Sequence, residues 1–140
     1  MAHISSVLIC ERVLEEKDGS LSIVRIADRF TLHDVPDPMP ENETPGIVFN
    51  MLVAVKSVGE PPVDHSVSMA LTFPSGKVKA IGTYERPPIK TGETGFNVIA
   101  RITLELDGEG IYWFEATLDK VGQSVRVPVQ IVYERQSRKQ

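Results

Sequence analysis

The stretch that decides the fold is Val98-Ile99-Ala100-Arg101-Ile102-Thr103-Leu104-Glu105-Leu106. Its even-numbered residues are all apolar, whereas Arg101, Thr103 and Glu105 lie among the odd-numbered ones. Because the side chains of a strand alternate between the two faces of a sheet, this pattern predicts a β-strand with one face on a core. Two further rows have the same period of two residues: Val67, Met69, Leu71 and Phe73, and then Val125, Val127, Val129, Ile131 and Tyr133.

Turn residues separate these rows. Asp18-Gly19 lies between Val7–Leu14 and Leu21–Phe30 and predicts a hairpin. About eight strands at short spacing indicate an all-β fold, an antiparallel two-sheet β-sandwich, with a partly open barrel as the alternative. Turn segments of the same kind separate the later strands: Pro74–Gly76, Asp107–Gly110 and Asp119–Gly122.

Two strands carry further information about their place in the sheets. Ile47–Val55 is apolar at nearly every residue apart from Asn50, which predicts a central strand covered on both faces. Pro128 lies inside the last strand, Gln123–Tyr133, and has no N–H to donate to a neighbour. We therefore expect this strand to be an edge strand, or to be bulged at Pro128.

The composition fits one folded domain. Of the 140 residues, 41% are hydrophobic and 24% are charged, so a packed core over residues 1–134 is expected. Residues 135–140, with Arg135, Arg138 and Lys139, are predicted to be a short basic tail. The net charge of −4 argues against nucleic-acid binding, which needs a concentrated basic face.

The sequence also bears on the compartment. No stretch approaches the roughly 20 apolar residues needed to span a bilayer, and no basic region precedes the short apolar run Val7–Cys10. Cys10 is the single cysteine, which rules out an internal disulfide. We therefore expect a cytoplasmic protein with no membrane contact.

Catalytic and cofactor motifs are absent from the sequence. It has no Gly-x-Ser-x-Gly elbow, no phosphate-binding glycine loop and no cysteine pair with zinc spacing. Cys10 lies within an apolar strand, which is typical of a small buried thiol. The sequence therefore predicts a protein that is not an enzyme and has no cofactor.

The three histidines are the candidate metal ligands. A hairpin at Asp18-Gly19, extended along the chain, would pair His3 near residues 33–34 and bring it to the same sheet end as His33. His65 begins a strand and could lie at that end too. Imidazoles with aspartates beside them can bind a first-row metal, whereas the plainer interpretation is three solvated strand ends.

Trp113 allows two placements. A three-residue loop, Gly108–Gly110, would turn Tyr112 and Phe114 inward and leave Trp113 on the outer face. A two-residue turn would instead send the indole inward, because a one-residue slip inverts the strand. The core placement is favoured by the usual burial of tryptophan. In the outward placement Trp113, Ile111 and Ile99 would form an apolar patch for a partner or a dimer.

Two segments together resemble a known family. The first runs from Ile9-Cys10-Glu11 through Glu16-Lys17-Asp18-Gly19-Ser20 to Ile26-Ala27-Asp28, and the second from Gly110-Ile111-Tyr112-Trp113-Phe114 to Val127-Pro128-Val129. Over most of its length the chain resembles a family of small bacterial proteins classed only as a domain of unknown function. The resemblance implies a bacterial, cytosolic β-sandwich and carries over no catalytic or binding residue.

The sequence therefore favours a non-enzymatic module that binds another protein or forms a homodimer, through the Trp113 patch or through the edge of the last strand. Two alternatives stay open. One is a metal- or small-ligand-binding protein that uses the histidine-bearing sheet end. The other is a structural component of a larger assembly, since sandwiches host unrelated functions.

Overall fold

The computed structural model describes residues 2–37, 39–40, 43–59, 63–86 and 93–135. Within these ranges the chain forms nine β-strands and no helix, so it contains no helix long and apolar enough to cross a membrane. The strands are β1 (His3–Glu15), β2 (Leu21–Ile26), β3 (Arg29–Val35), β4 (Gly46–Lys56), β5 (His65–Thr72), β6 (Val78–Arg86), β7 (Gly95–Glu105), β8 (Gly110–Leu118) and β9 (Gln123–Arg135).

The strands form two sheets that pack face to face. Sheet A has the strand order β2-β1-β4-β7, and sheet B has the order β3-β9-β8-β5-β6. The inward residues of both sheets build one apolar core, in which the Phe49 and Phe114 rings meet edge to face at 5.3 Å between centroids. Burial of each such large side chain stabilises the fold by about 1.5–3 kcal/mol. The predicted all-β sandwich is confirmed.

The expected count of eight strands was one too low, because Leu21–Phe30 is not a single strand. The chain leaves sheet A after β2 and enters sheet B as β3, with only Ala27 and Asp28 between them. The Ala27 N–H donates to Ile9 at 2.8 Å, and Asp28 accepts from the Gln130 N–H at 3.0 Å. This corner makes the β3–β9 pair parallel, whereas the other pairs between described strands are antiparallel as predicted.

The corner joins the two sheets along one side of the sandwich, and the opposite side is open. There the edge strands are β6 of sheet B and β7 of sheet A, which do not pair with each other within the described ranges. A groove of about 160 Å³ lies between them, and its apolar lining includes Leu71, Ile81, Tyr84, Ile102 and Leu104. The molecule therefore has one feature of the alternative, partly open barrel.

Three of the predicted hairpins form, namely β1–β2, β5–β6 and β8–β9. The first turns where predicted, with Gly19 at φ 86°, a conformation that favours glycine. The hairpin expected at Asp107–Gly110 was wrong, because β7 pairs with β4 whereas β8 pairs with β5 and β9. The segment instead crosses between sheets.

The Tyr112 hydroxyl holds this crossover segment in place. It donates a hydrogen bond to the Gly108 carbonyl at 2.6 Å and accepts one from the Asp107 N–H at 3.1 Å.

The predictions for the two informative strands had different outcomes. β4 is central, between β1 and β7, as expected, but it is not covered on both faces, because Val48 on its outer face is 51% exposed. The last strand is not an edge, because β9 lies between β3 and β8. The β3 ladder begins only at the Arg29–Gln130 pair. The Gln130 N–H points towards β3, and N–H groups alternate between the two sides of a strand. The nitrogen of Pro128, two residues earlier, therefore points to the same side as that of Gln130. At Pro128, however, β3 has not yet begun to pair with β9. Pro128 therefore removes no ladder hydrogen bond.

The first residue of the expected basic tail belongs to β9. Arg135 pairs with Val35 and lies within 4 Å of two carboxylates, at 3.9 Å from Asp37 and 3.7 Å from Glu109. Residues 136–140 of the predicted tail lie outside the described residues.

Candidate functional site

Trp113 lies on the outer face of sheet B. It is 37% exposed, whereas its neighbours Tyr112 and Phe114 are buried in the core. The favoured core placement of Trp113 was therefore wrong, and the outward alternative is the one that forms. Buried and exposed side chains alternate along β8 as predicted from the three-residue loop. However, β8 pairs with β5 and not with β7.

The register places Trp113 in a row that crosses four strands. Val78 of β6 pairs with Thr72 of β5, Thr72 pairs with Trp113 of β8, and Trp113 pairs with Pro128 of β9. Directly paired residues point to the same face of a sheet. Val78 is 67% exposed and Pro128 is also exposed. At about 4.8 Å between strands, the row spans roughly 14 Å of surface.

The predicted three-residue patch is split by the fold. Ile111 is 42% exposed and lies two residues before Trp113 on the same face of β8. Ile99 is 41% exposed, but it lies on β7 and pairs with Leu52 of β4 in sheet A. Because β7 and β8 belong to different sheets, Ile99 faces the opposite side of the sandwich and does not join Trp113.

A cation covers part of the indole. The Arg126 guanidinium carbon lies 4.8 Å from the centroid of the Trp113 ring, which is a cation–π distance. The Arg126 Nε lies 3.7 Å from Glu115, on the same face. We call the surface formed by the following residues the Trp113 face: Thr72, Val78, Ile111, Trp113, Arg126 and Pro128.

The three histidines are not brought together. His3 pairs with Lys56, and the neighbouring Ile4 N–H donates to the Gln123 side chain at 2.7 Å, so His3 lies at the sandwich end where β9 begins. His65 begins β5 at that same end. His33 lies at the other end, where its Nδ1 is 2.8 Å from a Glu134 carboxylate oxygen.

The predicted pairing of His3 near residues 33–34 was wrong because β2 ends before it reaches them and the chain changes sheets. Among the residues the structure describes, no group of three or more His, Cys, Asp or Glu side chains is arranged to hold a metal ion. The expected three-histidine site is therefore not formed.

His65 lies beside a surface cleft. The side chain is only 3% exposed, and its ring lies 6.1 Å from that of Phe96. The cleft has a volume of about 500 Å³, within the usual size range of a small-molecule site. Its described lining carries both signs of charge and consists of Asp64, His65, Ser66, Glu85, Arg86 and Lys120.

Cys10 is buried, as the sequence predicted. Its Sγ lies 3.8 Å from the Asn50 carbonyl oxygen, and burial raises the pKa of the thiol. A thiol that is covered and held in its neutral form is a poor nucleophile. Cys10 therefore belongs to the packing of sheet A and not to a candidate site.

Sequence reasoning missed most of the Trp113 face. The period of two in β5 predicts that Thr72 faces outward, and Pro128 stands out in the sequence of the last strand because it has no N–H. What no local pattern reveals is that β5 lies on the other side of β8 from β9, because that pairing joins residues about 40 positions apart in the chain.

No protein-family model matches the chain, and a search of curated proteins finds no significant relative. The resemblance to a family of small bacterial proteins stays a prediction.

Proposed function

We propose that this protein is a non-enzymatic binding module that takes a protein partner on the Trp113 face. The observation that carries the proposal is the row Val78–Thr72–Trp113–Pro128, in which all residues but the half-buried Thr72 are exposed, with the exposed Ile111 beside it. Tryptophan exposed at the centre of an apolar row is unusual for the surface of a soluble protein.

The chemistry of the face supports this proposal. Tryptophan and arginine are the residue types most enriched at the energetic centres of interfaces, and here Arg126 lies directly over Trp113. A partner surface that covers the indole would remove apolar area from water and strengthen the cation–π contact by desolvation. The Glu115–Arg126 pair at the rim would contribute little to affinity but would help to fix orientation.

The test is affinity capture of the tagged protein from extract of its native host, with Trp113→Ala in parallel. Val48→Ala is the matched control, because Val48 is an exposed apolar residue on the outer face of sheet A. We expect a partner retained by the wild type and the control and lost by Trp113→Ala. Titration of that partner should shift the emission of Trp113, the single tryptophan, to the blue. A partner held equally by all three proteins would contradict the proposal.

A second candidate function is the binding of a small ligand in the cleft at His65. Its support is the cleft itself, whose lining of Asp64, Glu85, Arg86 and Lys120 suits a zwitterion such as a free amino acid. We expect such a ligand to raise the melting temperature of the wild type and of His33→Gln but not of His65→Gln. No shift across the twenty amino acids would remove this candidate.

A further inference from the structure

One edge strand of the sandwich, β7, is long and regular and has few features that prevent another strand from pairing with it. Four strands end the two sheets, namely β2, β3, β6 and β7. β7 has eleven residues, no proline and no bulge, and it pairs without interruption from Gly46–Glu105 to Lys56–Gly95. A long, regular edge with unpaired backbone groups is a template for another strand.

The other three edges are each interrupted. β2 has six residues and Arg25 near its end at φ 53°. β3 has a register shift between Leu32 and Val35, with Asp34 at φ 56°. β6 is bulged at Ile81, and Lys79 pairs with the buried Leu71, so that a charged side chain lies on the inward side of this edge. These are devices that proteins use to block edge pairing, whereas β7 has no bulge, no proline and no inward charge, and its two exposed charged residues are of opposite sign.

The backbone groups that β7 presents at its free edge can be assigned. The Leu106 N–H donates to Pro45 at 2.9 Å, next to the start of β4. Because N–H and C=O groups alternate sides along a strand, the even-numbered residues of β7 bond to β4. The side of β7 that no described strand covers therefore carries the N–H and C=O groups of Ile99, Arg101, Thr103 and Glu105.

We propose that β7 pairs with the β7 strand of a second copy of this chain, antiparallel and centred on Thr103. This register places Arg101 of each copy opposite Glu105 of the other. All three side chains are exposed on the outer face, and neither Arg101 nor Glu105 takes part in an ion pair among the described residues. The Arg101–Glu105 pair therefore occurs twice, once on each side of the two-fold axis, as a two-fold symmetric interface requires.

The same register satisfies the backbone. Thr103 would exchange two hydrogen bonds with its counterpart, and each of the two Arg101–Glu105 pairs would exchange two more, about six in all. Three of the neighbouring registers are less favourable. A centre at Arg101 sets two guanidinium groups opposite each other, and a centre at Ala100 or Ile102 leaves Arg101 and Glu105 opposite uncharged residues.

The dimer would join two copies of sheet A into one eight-stranded sheet. This surface is separate from the Trp113 face, which lies on the other sheet. The inference therefore goes beyond the proposed function, and each can fail without the other.

The first test is a disulfide cross-link in the full chain. Thr103→Cys would face itself across the two-fold axis at about 5.5 Å between Cα atoms, within the range for a disulfide. Asn97→Cys is the matched control, because Asn97 is exposed on the same face of β7 but far from its counterpart in this register. We expect mild oxidation to convert most of Thr103→Cys, and little of Asn97→Cys or of the wild type with its buried Cys10, into covalent dimer. Equal cross-linking of both variants would overturn the register.

The second test is a charge exchange followed by sedimentation equilibrium. Arg101→Glu and Glu105→Arg each place like charges opposite one another, and we expect each to raise the dimer dissociation constant about tenfold or more. The double variant restores opposite signs and should return to within about threefold of the wild type. Melting temperatures near that of the wild type show that the exposed substitutions leave the fold intact.

Three outcomes of the second test would overturn the proposal. One is a wild type that stays monomeric up to about millimolar concentration. Another is a dimer whose dissociation constant is the same in both single variants. The third is a dimer lost in Trp113→Ala but kept in Arg101→Glu, which would show that assembly uses the Trp113 face.

Discussion

At the scale of single residues, the alternation along β8 separates two aromatic neighbours. Trp113 lies outward under Arg126, whereas Phe114 is 1% exposed and packs edge-on against Phe49. The larger ring is therefore the less important one for folding. Because Trp113 lies outside the core, its side chain is available for contact with another molecule. This placement is the basis of the proposed function.

We expect Trp113→Ala to lower the free energy of unfolding by about 1–2 kcal/mol, because it removes an aromatic side chain from an interior strand and the cation–π contact with Arg126. Phe114→Ala should lower it by about 3–5 kcal/mol, because it leaves a cavity in the centre of the core. Urea titrations followed by circular dichroism compare the two, since one variant lacks the fluorophore. Equal losses would contradict the outward placement of Trp113.

Tyr112 makes stability depend on pH in the alkaline range. Burial, together with the Asp107 carboxylate, raises the pKa of Tyr112 to about 12 from its ordinary value of 10.0. Above pH 10 the unfolded chain has already lost this proton whereas the folded chain keeps it, so folding opposes ionisation. The neutral phenol therefore contributes stability that is complete below pH 10 and is lost as the pH rises towards 12.

We expect the wild type to lose up to about 2–3 kcal/mol from this group between pH 10 and 12. Tyr112→Phe should be less stable at pH 8 by about 1 kcal/mol, because the hydrogen bonds to Gly108 and Asp107 are gone. Urea unfolding at pH 8 and pH 11.5 measures both proteins. A wild type that exceeds Tyr112→Phe in stability by as much at pH 11.5 as at pH 8 would contradict the assignment.

At the scale of elements, β9 shows why proline can occur in an interior strand. Its two halves have different neighbours, because β3 pairs only from Gln130 onward. Pro128 lies in the half that is paired by β8 alone, where a missing N–H breaks nothing. Proline therefore marks an edge at residue 128 itself, where β9 has one neighbour, but it does not make β9 an edge strand along its whole length.

The position of proline in β9 gives a matched comparison. Gln130→Pro removes the N–H that Asp28 accepts at 3.0 Å, and we expect it to destabilise the protein by about 3 kcal/mol or more. Gln130→Ala keeps that N–H and changes only an exposed side chain, so it should stay within about 0.5 kcal/mol of the wild type. Thermal or urea unfolding distinguishes them. A Gln130→Pro variant as stable as Gln130→Ala would show that β3 does not pair there.

At the scale of the whole molecule, the sandwich is closed on one side and open on the other. The corner at Ala27–Asp28 ties β2 and β3 to different sheets, whereas β6 has one paired neighbour and mostly exposed side chains. Strands with few buried apolar contacts open at a lower free energy than the core. The open side is also where β7 presents the edge proposed to pair with a second copy.

We expect hydrogen exchange to show this asymmetry. Amides of β8 and β4 should exchange slowest, because both strands are paired on two sides, and amides of β6 should exchange at least about tenfold faster. Exchange measured by mass spectrometry at low and high protein concentration adds a second readout. Protection of β7 that rises with concentration is expected from the proposed dimer. Uniform protection of β6 and β8 would contradict the open side.

The sequence by itself determined the fold class, the core faces of the regularly alternating strands other than β8, and three of the four hairpins. Alternation in stretches such as Val98–Leu106 specifies which residues are buried, and Asp18-Gly19 specifies a turn, because both effects act between near neighbours in the chain. Only the tertiary structure decided that Leu21–Phe30 divides between two sheets, that β7 and β8 do not pair, and that Ile99 and Trp113 face opposite sides. The choice of partner strand depends on contacts between distant residues. Several sheet arrangements bury the same faces, so the local pattern cannot distinguish them.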